Sequence, residues 1–270
     1  MGQNKITDSS VGQEAKSEHS ETGPWQEISR RNLLKLVAGS AATATVILPG
    51  RWFRPVTELG KIPVHVQISQ PQTYQYTLVV PGTANIWGAG HALPPEPSGG
   101  GAGTLPPYIN LPSGTGRILT LSSVTGIVNF VNGEPWADSA PDGTDDVLPG
   151  AVSINPIGGI SGIIFYGRAQ FLTGVVLDDT EPVDPPPATN NFTGADDWSD
   201  FSLTLRQLFF IGDGRIGKNN PAGAAQHFHI PDMATRLYLG LPDAYYHMGD
   251  PGQYANNSGA FTTSFTITAW

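Results

Sequence analysis

Two hundred and seventy residues suffice for one sizeable domain or two small ones, so a buried core needs neither a disulfide nor a metal to form. Charged residues make up 14% of the chain, against about 25% in ordinary globular proteins, and 33 Gly with 24 Pro disfavour long surface helices and favour short strands joined by irregular loops. A formal charge of −9 repels phosphate backbones and anionic lipid, which argues against a nucleic-acid partner, and the lack of Cys removes zinc ribbons, thiol nucleophiles, iron–sulfur clusters and disulfide scaffolds.

Residues 1–28 are polar, carry no hydrophobic period and are expected to be disordered. The run Ser29-Arg30-Arg31-Asn32-Leu33-Leu34-Lys35 that follows resembles the twin-arginine export motif. Behind it, residues 33–48 are only moderately apolar and contain Lys35, too short a run for a comfortable membrane span, so no stable span is expected. Ala42-Thr43-Ala44 offers a cleavage site, and Pro49-Gly50 equally marks a possible end of the segment. The motif implies export to the periplasm, the cell surface or the medium. The expected division is a polar region and signal segment over 1–50 and a single domain over 51–270. Five basic and five acidic residues cancel within 1–48, which leaves nine basic against eighteen acidic residues beyond it.

Beyond the signal, Ile62, Val64, Val66 and Ile68 alternate with Pro63, His65 and Gln67, the pattern of a half-buried strand. Similar runs recur at 76–80, 117–121, 126–131, 162–165, 171–177, 201–210 and 236–241, and none shows a sustained 3.6-residue period. The clearest lies at the end: Phe261, Thr263, Phe265, Ile267 and Ala269 share one face, and Thr262, Ser264, Thr266 and Thr268 the other. Eight or nine strands without helical crossovers predict an all-β fold, a two-sheet antiparallel β-sandwich of jelly-roll or galactose-binding-like type.

Three long loops interrupt the strands. Residues 93–107 contain Ser98-Gly99-Gly100-Gly101-Ala102-Gly103, which is not a phosphate cradle because no Gly-Lys-Ser/Thr follows. Residues 132–150 contain Asp138, Asp142, Asp145 and Asp146 without EF-hand spacing and read as a solvated loop. Residues 178–200 are acidic and proline-rich around Pro185-Pro186-Pro187.

The segment 243–259 carries the most chemistry. Asp243 and Asp250 can offer carboxylate oxygens, Asn256 and Asn257 amide oxygens, and the Pro251-Gly252 turn can direct a backbone carbonyl such as that of Gln253 inward. Oxygen donors of this kind suit calcium, whereas zinc would want nitrogen or sulfur. On composition alone, a plain Asn/Asp/Gly turn explains the same residues equally well.

Asp250-Pro251-Gly252-Gln253-Tyr254-Ala255-Asn256-Asn257-Ser258-Gly259-Ala260-Phe261, running into a final strand, resembles the calcium loop of the bacterial galactophilic lectins of the PA-IL kind. Arg236-Leu237-Tyr238-Leu239-Gly240-Leu241-Pro242-Asp243 resembles the strand that delivers that family's calcium aspartate, although Ala244 to Gly249 are additional. The likeness implies a small β-sandwich in which Ca2+ bridges protein and sugar. It favours Asp243 as the acidic ligand, with Asp250 a second ligand or a sugar contact, and it leaves the sugar open. Residues 81–91, the glycine-rich loop and 119–126 are similar to a wider group of exported bacterial proteins with the same ending.

His227-Phe228-His229 places two imidazoles on one side of a strand, but the Glu that a cupin would carry beyond the second His is absent. Asp196, Asp197 and Asp200 read as a solvated loop rather than a glycosidase pair, and no G-x-S-x-G is present. Trp87, His91 and Tyr108 lie in or beside the first loops; Trp87 and His91 are candidate sugar contacts, and Trp87 reads equally as core. The sequence therefore reads as an exported, non-catalytic protein that binds carbohydrate, galactose-containing glycans among the candidates, through calcium. The assigned residues are Asp243, Asp250, Gln253, Asn256 and Asn257 for metal, and Asp250, Gln253, Asn256, His91 and Trp87 for sugar. The alternative is a calcium-stabilised surface or matrix protein that self-assembles, as a homo-oligomer, through its loops.

Overall fold

The computed structural model describes residues 70–145 and 152–270. The twin-arginine segment, the strand expected at 62–68 and Asp146 lie outside the described residues. In chain order the strands are β1 (Gln72–Pro81), β2 (Tyr108–Asn110), β3 (Ile118–Asn129), β4 (Asp138–Ser139), β5 (Val152–Ile154), β6 (Ile163–Phe165), β7 (Thr173–Leu177), β8 (Asn190–Asn191), β9 (Asp200–Ser202), β10 (Phe209–Phe210), β11 (His227–His229), β12 (Arg236–Gly240), β13 (Met248–Gly249) and β14 (Ser258–Ala269). No α-helix occurs among the described residues, only single 3-10 turns, as the Gly and Pro content predicts.

The largest sheet has the order β1-β14-β3-β11-β9, with β4 also on β3. A second sheet runs β10-β7-β12-β2 and a third, smaller one β13-β5-β6-β8. The long pairings are antiparallel, in keeping with a β-sandwich, while the third sheet and three short parallel pairs (β9 with β11, β5 with β13, β6 with β8) add detail that the sequence did not suggest.

The final strand organises the first sheet. β14 pairs along its length with β1 on one side and β3 on the other, and Phe261, Thr263, Phe265, Ile267 and Ala269 are its buried face, as their alternation predicts. Thr263 fits among apolar neighbours because its hydroxyl donates to Leu78 O at 3.0 Å. Val175, Val176 and Leu177 of β7, buried on both faces of their strand, and Leu237 and Leu239 of β12 belong with this face to one continuous core. Burial of each such side chain is worth about 1.5–3 kcal/mol.

Two expected elements differ. The runs at 117–121 and 126–131 form one strand, β3: Ser264 faces Ser123 and Phe265 faces Leu121, so Ser122 is the extra residue of a bulge that breaks the alternation. The run at 201–210 instead divides into β9 and β10, which belong to different sheets. Arg206, at φ 64°, turns the chain between them; its N–H donates to Val176 O and its carbonyl accepts from Ser161 N.

Part of the aspartate loop is an anchor. The buried Asp142 carboxylate accepts Asp213 N at 2.7 Å and Asn219 N at 2.6 Å, holding the turn that precedes β11. Burial first, and then the charge of Asp142, push Asp213 up to about 6. A carboxyl whose folded pKa exceeds its unfolded value favours the folded state at acid pH, and that contribution is lost as pH rises through about 6. Replacement of Asp213 by Asn should therefore raise folding stability at about pH 7.5, by roughly 1 kcal/mol once the group's partial exposure is allowed for, and the melting temperature with it. It should also flatten the melting temperature between about pH 4 and 7; a pH dependence identical to that of the unaltered protein would refute this assignment.

Candidate functional site

β12 ends at Gly240, and Leu241-Pro242-Asp243 carry the chain out of the second sheet towards β14 of the first. The end of β1 arrives at the same place: Gly82 N donates to Gly259 O at 2.9 Å, and Leu241 N to Ala84 O at 2.9 Å. Gly82 suits this crossing because a Cβ there would stand 2.3 Å from Ser258 O.

Asp243 is 2% exposed. Its Oδ1 accepts Ala244 N at 2.8 Å and its Oδ2 accepts Asn257 Nδ2 at 2.8 Å. His247 Nδ1 lies 3.5 Å from Oδ1, within ion-pair range but long for a hydrogen bond. Burial holds the Asp243 carboxyl above the ordinary carboxylate range, opposed first by His247 and then by Asn257. Beneath it the fully buried Tyr254 hydroxyl accepts Asp243 N at 3.1 Å and donates to Leu241 O at 2.7 Å.

Asn257 Nδ2 donates to Gly82 O at 3.1 Å as well as to Asp243, so a carboxylate and a carbonyl converge on one amide group. The Oδ1 atoms of Asn256 and Asn257 are both buried and without a hydrogen-bond partner. Buried amide oxygens are ordinarily paired. Since amide O and N are placed by their hydrogen-bond network, exchange of the two ends of Asn257 would set three oxygens together, an arrangement that only a cation reconciles. With Asn257 so turned, the residues fit a hard cation: the Asp243 carboxylate, the Asn257 amide oxygen and the Gly82 carbonyl would face one point. Among the described residues no cluster of three or more His, Asp or Glu side chains is arranged for a metal, so a cation site here rests on amide and backbone oxygens beside one carboxylate.

The other expected ligands stand apart from this cluster. Asp250 is exposed, and its Oδ1 accepts Asn155 Nδ2 at 2.9 Å. Gln253, at φ 74°, directs both its backbone N–H and its Nε2 to Gly99 O, at 2.9 and 3.2 Å. Trp87 is fully buried, with its indole N–H donated to Ser161 O at 3.0 Å, so it presents no ring face to a sugar and belongs to the core. His91 is engaged at both ring nitrogens, by Glu181 Oε1 at 3.0 Å and Gly158 O at 2.9 Å, which turns it towards the 157–161 loop rather than the asparagines. Tyr108 is half exposed and stacked on Tyr238, with centroids 4.9 Å apart. His227 and His229 lie on β11, where His229 Nε2 meets Asp200 Oδ1 at 3.0 Å.

The glycine-rich loop is a clamp on the candidate site. Asn85 holds its two ends, donating from Nδ2 to Pro95 O at 2.9 Å and Ala102 O at 3.0 Å. Between them, the carbonyls of Gly99, Gly100 and Gly101 accept the N–H groups of Gln253, Ala255 and Tyr254. A Cβ on Gly101, at φ 94°, would stand 2.5 Å from the Ala255 side chain, so the two loops approach this closely only because the residue is Gly.

Sequence reasoning also passed over exposed aromatic rings beside the site. The added residues 244–249 display Tyr245 and Tyr246, whose rings meet edge to face at 4.3 Å and are each more than half exposed. His247, packed 5.2 Å from Phe130, links this loop to Trp136, which meets Phe130 at 5.9 Å and is also more than half exposed. Two adjacent tyrosines in a Gly/Asp-rich loop were the available signal.

Tyr254→Phe tests the support beneath Asp243. It leaves Asp243 N unpaired in a buried place and Leu241 O with only the long bond from Ile86 N at 3.4 Å, a loss of about 1–3 kcal/mol. At roughly 2–4 °C per kcal/mol for a domain of this size, the melting temperature should fall by several degrees; an unchanged melt would show that water replaces the hydroxyl.

No family model, curated protein or solved structure matches this chain.

Proposed function

We propose that the protein is an exported, calcium-dependent carbohydrate-binding protein without catalytic activity. The observation that carries this reading is the Asn257 amide, which meets the buried Asp243 carboxylate and the Gly82 carbonyl while its own oxygen, like that of the adjacent Asn256, is buried without a partner. Asp243, Asn256, Asn257 and the Gly82 carbonyl are the groups that would hold the ion. When bound, calcium supplies a hard centre that accepts hydroxyl oxygens of a sugar. Tyr245, Tyr246 and Trp136 offer the rings on which the apolar face of a pyranose stacks, while Asp250 and Gln253 stand on the same loop as candidate contacts for hydroxyl groups. The likeness of residues 250–261 to the galactophilic lectins makes galactose-containing glycans the first to test.

A second reading, calcium as a stabiliser of a self-assembling surface protein, is favoured by how little of Asp243 and Asn257 reaches solvent, 2% and 8% respectively. Export rests on Arg30 and Arg31: replacement of both by Lys should leave the protein in the cytoplasm, and unaltered export in cell fractionation would remove the twin-arginine reading.

Calorimetry with calcium, followed by retention on galactose resin, tests the site. With a dissociation constant near 10⁻⁴ M, millimolar calcium should add about 1.4 kcal/mol to stability, lost in chelator and not restored by equal magnesium. Asn257→Ala should weaken calcium at least tenfold and sugar with it. Asp250→Asn should leave calcium binding near normal and weaken sugar. Calcium binding without retention of any glycan would transfer the assignment to the stabilising reading, and normal calcium binding by Asn257→Ala would remove the site.

A further inference from the structure

A second feature with ligand chemistry lies away from the calcium loop, where edge strands of the three sheets meet. β8 borders the third sheet, β9 the first and β10 the second. Between them opens a cleft of about 120 Å³ lined by Phe192, Trp198, Asp200, Phe201, Ser202 and Gln207, among others. That is well below the roughly 300–1,000 Å³ of sites for drug-sized ligands, so it suits a single ring.

The base of the cleft is aromatic and fixed. Phe192 and Phe201 are buried, and Trp198 packs on them with centroids 6.0 and 5.5 Å away. The Trp198 backbone is tied on both sides, its N–H to Ala195 O at 3.1 Å and its carbonyl to Gln226 Nε2 at 2.9 Å. Trp198 as a whole is nevertheless 41% exposed, and its indole N–H makes no hydrogen bond to a described residue. Two residues further along and lining the same cleft, the Asp200 carboxylate accepts Ser199 Oγ at 2.6 Å and His229 Nε2 at 3.0 Å. These bonds, Ser199 first, keep Asp200 below the usual carboxylate range. Gln207 spends its Nε2 on Ala188 O at 2.7 Å, which leaves its amide oxygen as an acceptor.

We propose that this cleft is a metal-independent subsite for one neutral sugar ring, held by stacking on Trp198 and by hydroxyl groups donating to Asp200. A ring with an apolar face and a hydroxylated edge matches a cleft that offers an aromatic plate together with a carboxylate. An anion would meet Asp200 on a chain of net charge −9. A wholly apolar ligand would strip water from the carboxylate without replacing it. The subsite shares no residue with the Asp243 cluster, so it stands whether or not that cluster binds calcium.

Saturation-transfer NMR on the full chain in excess chelator, with glucose, galactose, N-acetylglucosamine and choline as probes, tests the proposal. At least one sugar should show transfer. Trp198→Ala should weaken it at least fivefold, Trp198→Phe should retain most of it, and Asp200→Asn should weaken it severalfold, whereas Asn257→Ala should change nothing. Asp200 is largely exposed, so Asp200→Asn keeps the test decisive should Trp198→Ala fail to fold. Transfer to choline alone would reassign the cleft to cations. Absence of sugar transfer in chelator, or transfer that survives Trp198→Ala and Asp200→Asn, would overturn the proposal.

Discussion

A carboxylate taken out of water must be surrounded by donors or by a cation, and the surroundings of Asp243 govern how the C-terminal part of the chain is built. Two N–H donors, from Ala244 and Asn257, reach its oxygens. Tyr254 secures the peptide that carries it, and His247 returns to it four residues later. Each of these groups comes from the loop between β12 and β14, so that loop has the shape that covers one charge. The same loop leaves two amide oxygens, of Asn256 and Asn257, buried without a partner.

The clamp around this loop follows from backbone chemistry. Residues 251–257 form no strand, so their N–H groups need acceptors from elsewhere, and the carbonyls of Gly99, Gly100 and Gly101 supply three. Residues without side chains are needed to bring two loops within backbone hydrogen-bonding distance. Asn85 fixes the ends of the glycine loop, and the buried Trp87 fixes Asn85 in turn, its N–H donating to Asn85 Oδ1 at 3.1 Å. A segment that composition marks as featureless is thus joined to the core in three steps.

Two places in this architecture, with no residue in common, present different chemistry. Around Asp243, a buried carboxylate and the Gly82 carbonyl meet at one amide group, and the exposed Tyr245 and Tyr246 stand on the same loop. At the junction of the three sheet edges the polar groups are exposed and the aromatic rings are buried or half buried, which suits stacking without a metal. Both arrangements arise where strands end, because there side chains and backbone groups are released from the pairing that occupies them inside a sheet.

What the sequence by itself determined is what depends on neighbours a few residues apart. The two-residue period of 261–269 specified which face of β14 is buried, and the Gly and Pro content specified an all-β chain. Oxygen-bearing side chains between two strands marked the 243–259 loop. Tertiary structure alone decided what depends on residues far apart in the chain. Asp243 rather than Asp250 reaches Asn257, because the chain leaving β1 is bonded to both neighbourhoods, Gly82 to Gly259 and Ala84 to Leu241. Trp87 became core because Ser161 stands over its indole N–H, and the 201–210 run divided because Val176 O and Ser161 N, from other parts of the chain, hold the turn at Arg206. Alternation is a property of one strand, whereas burial and hydrogen-bond partners are set by which sheets pack together, and no local pattern encodes that.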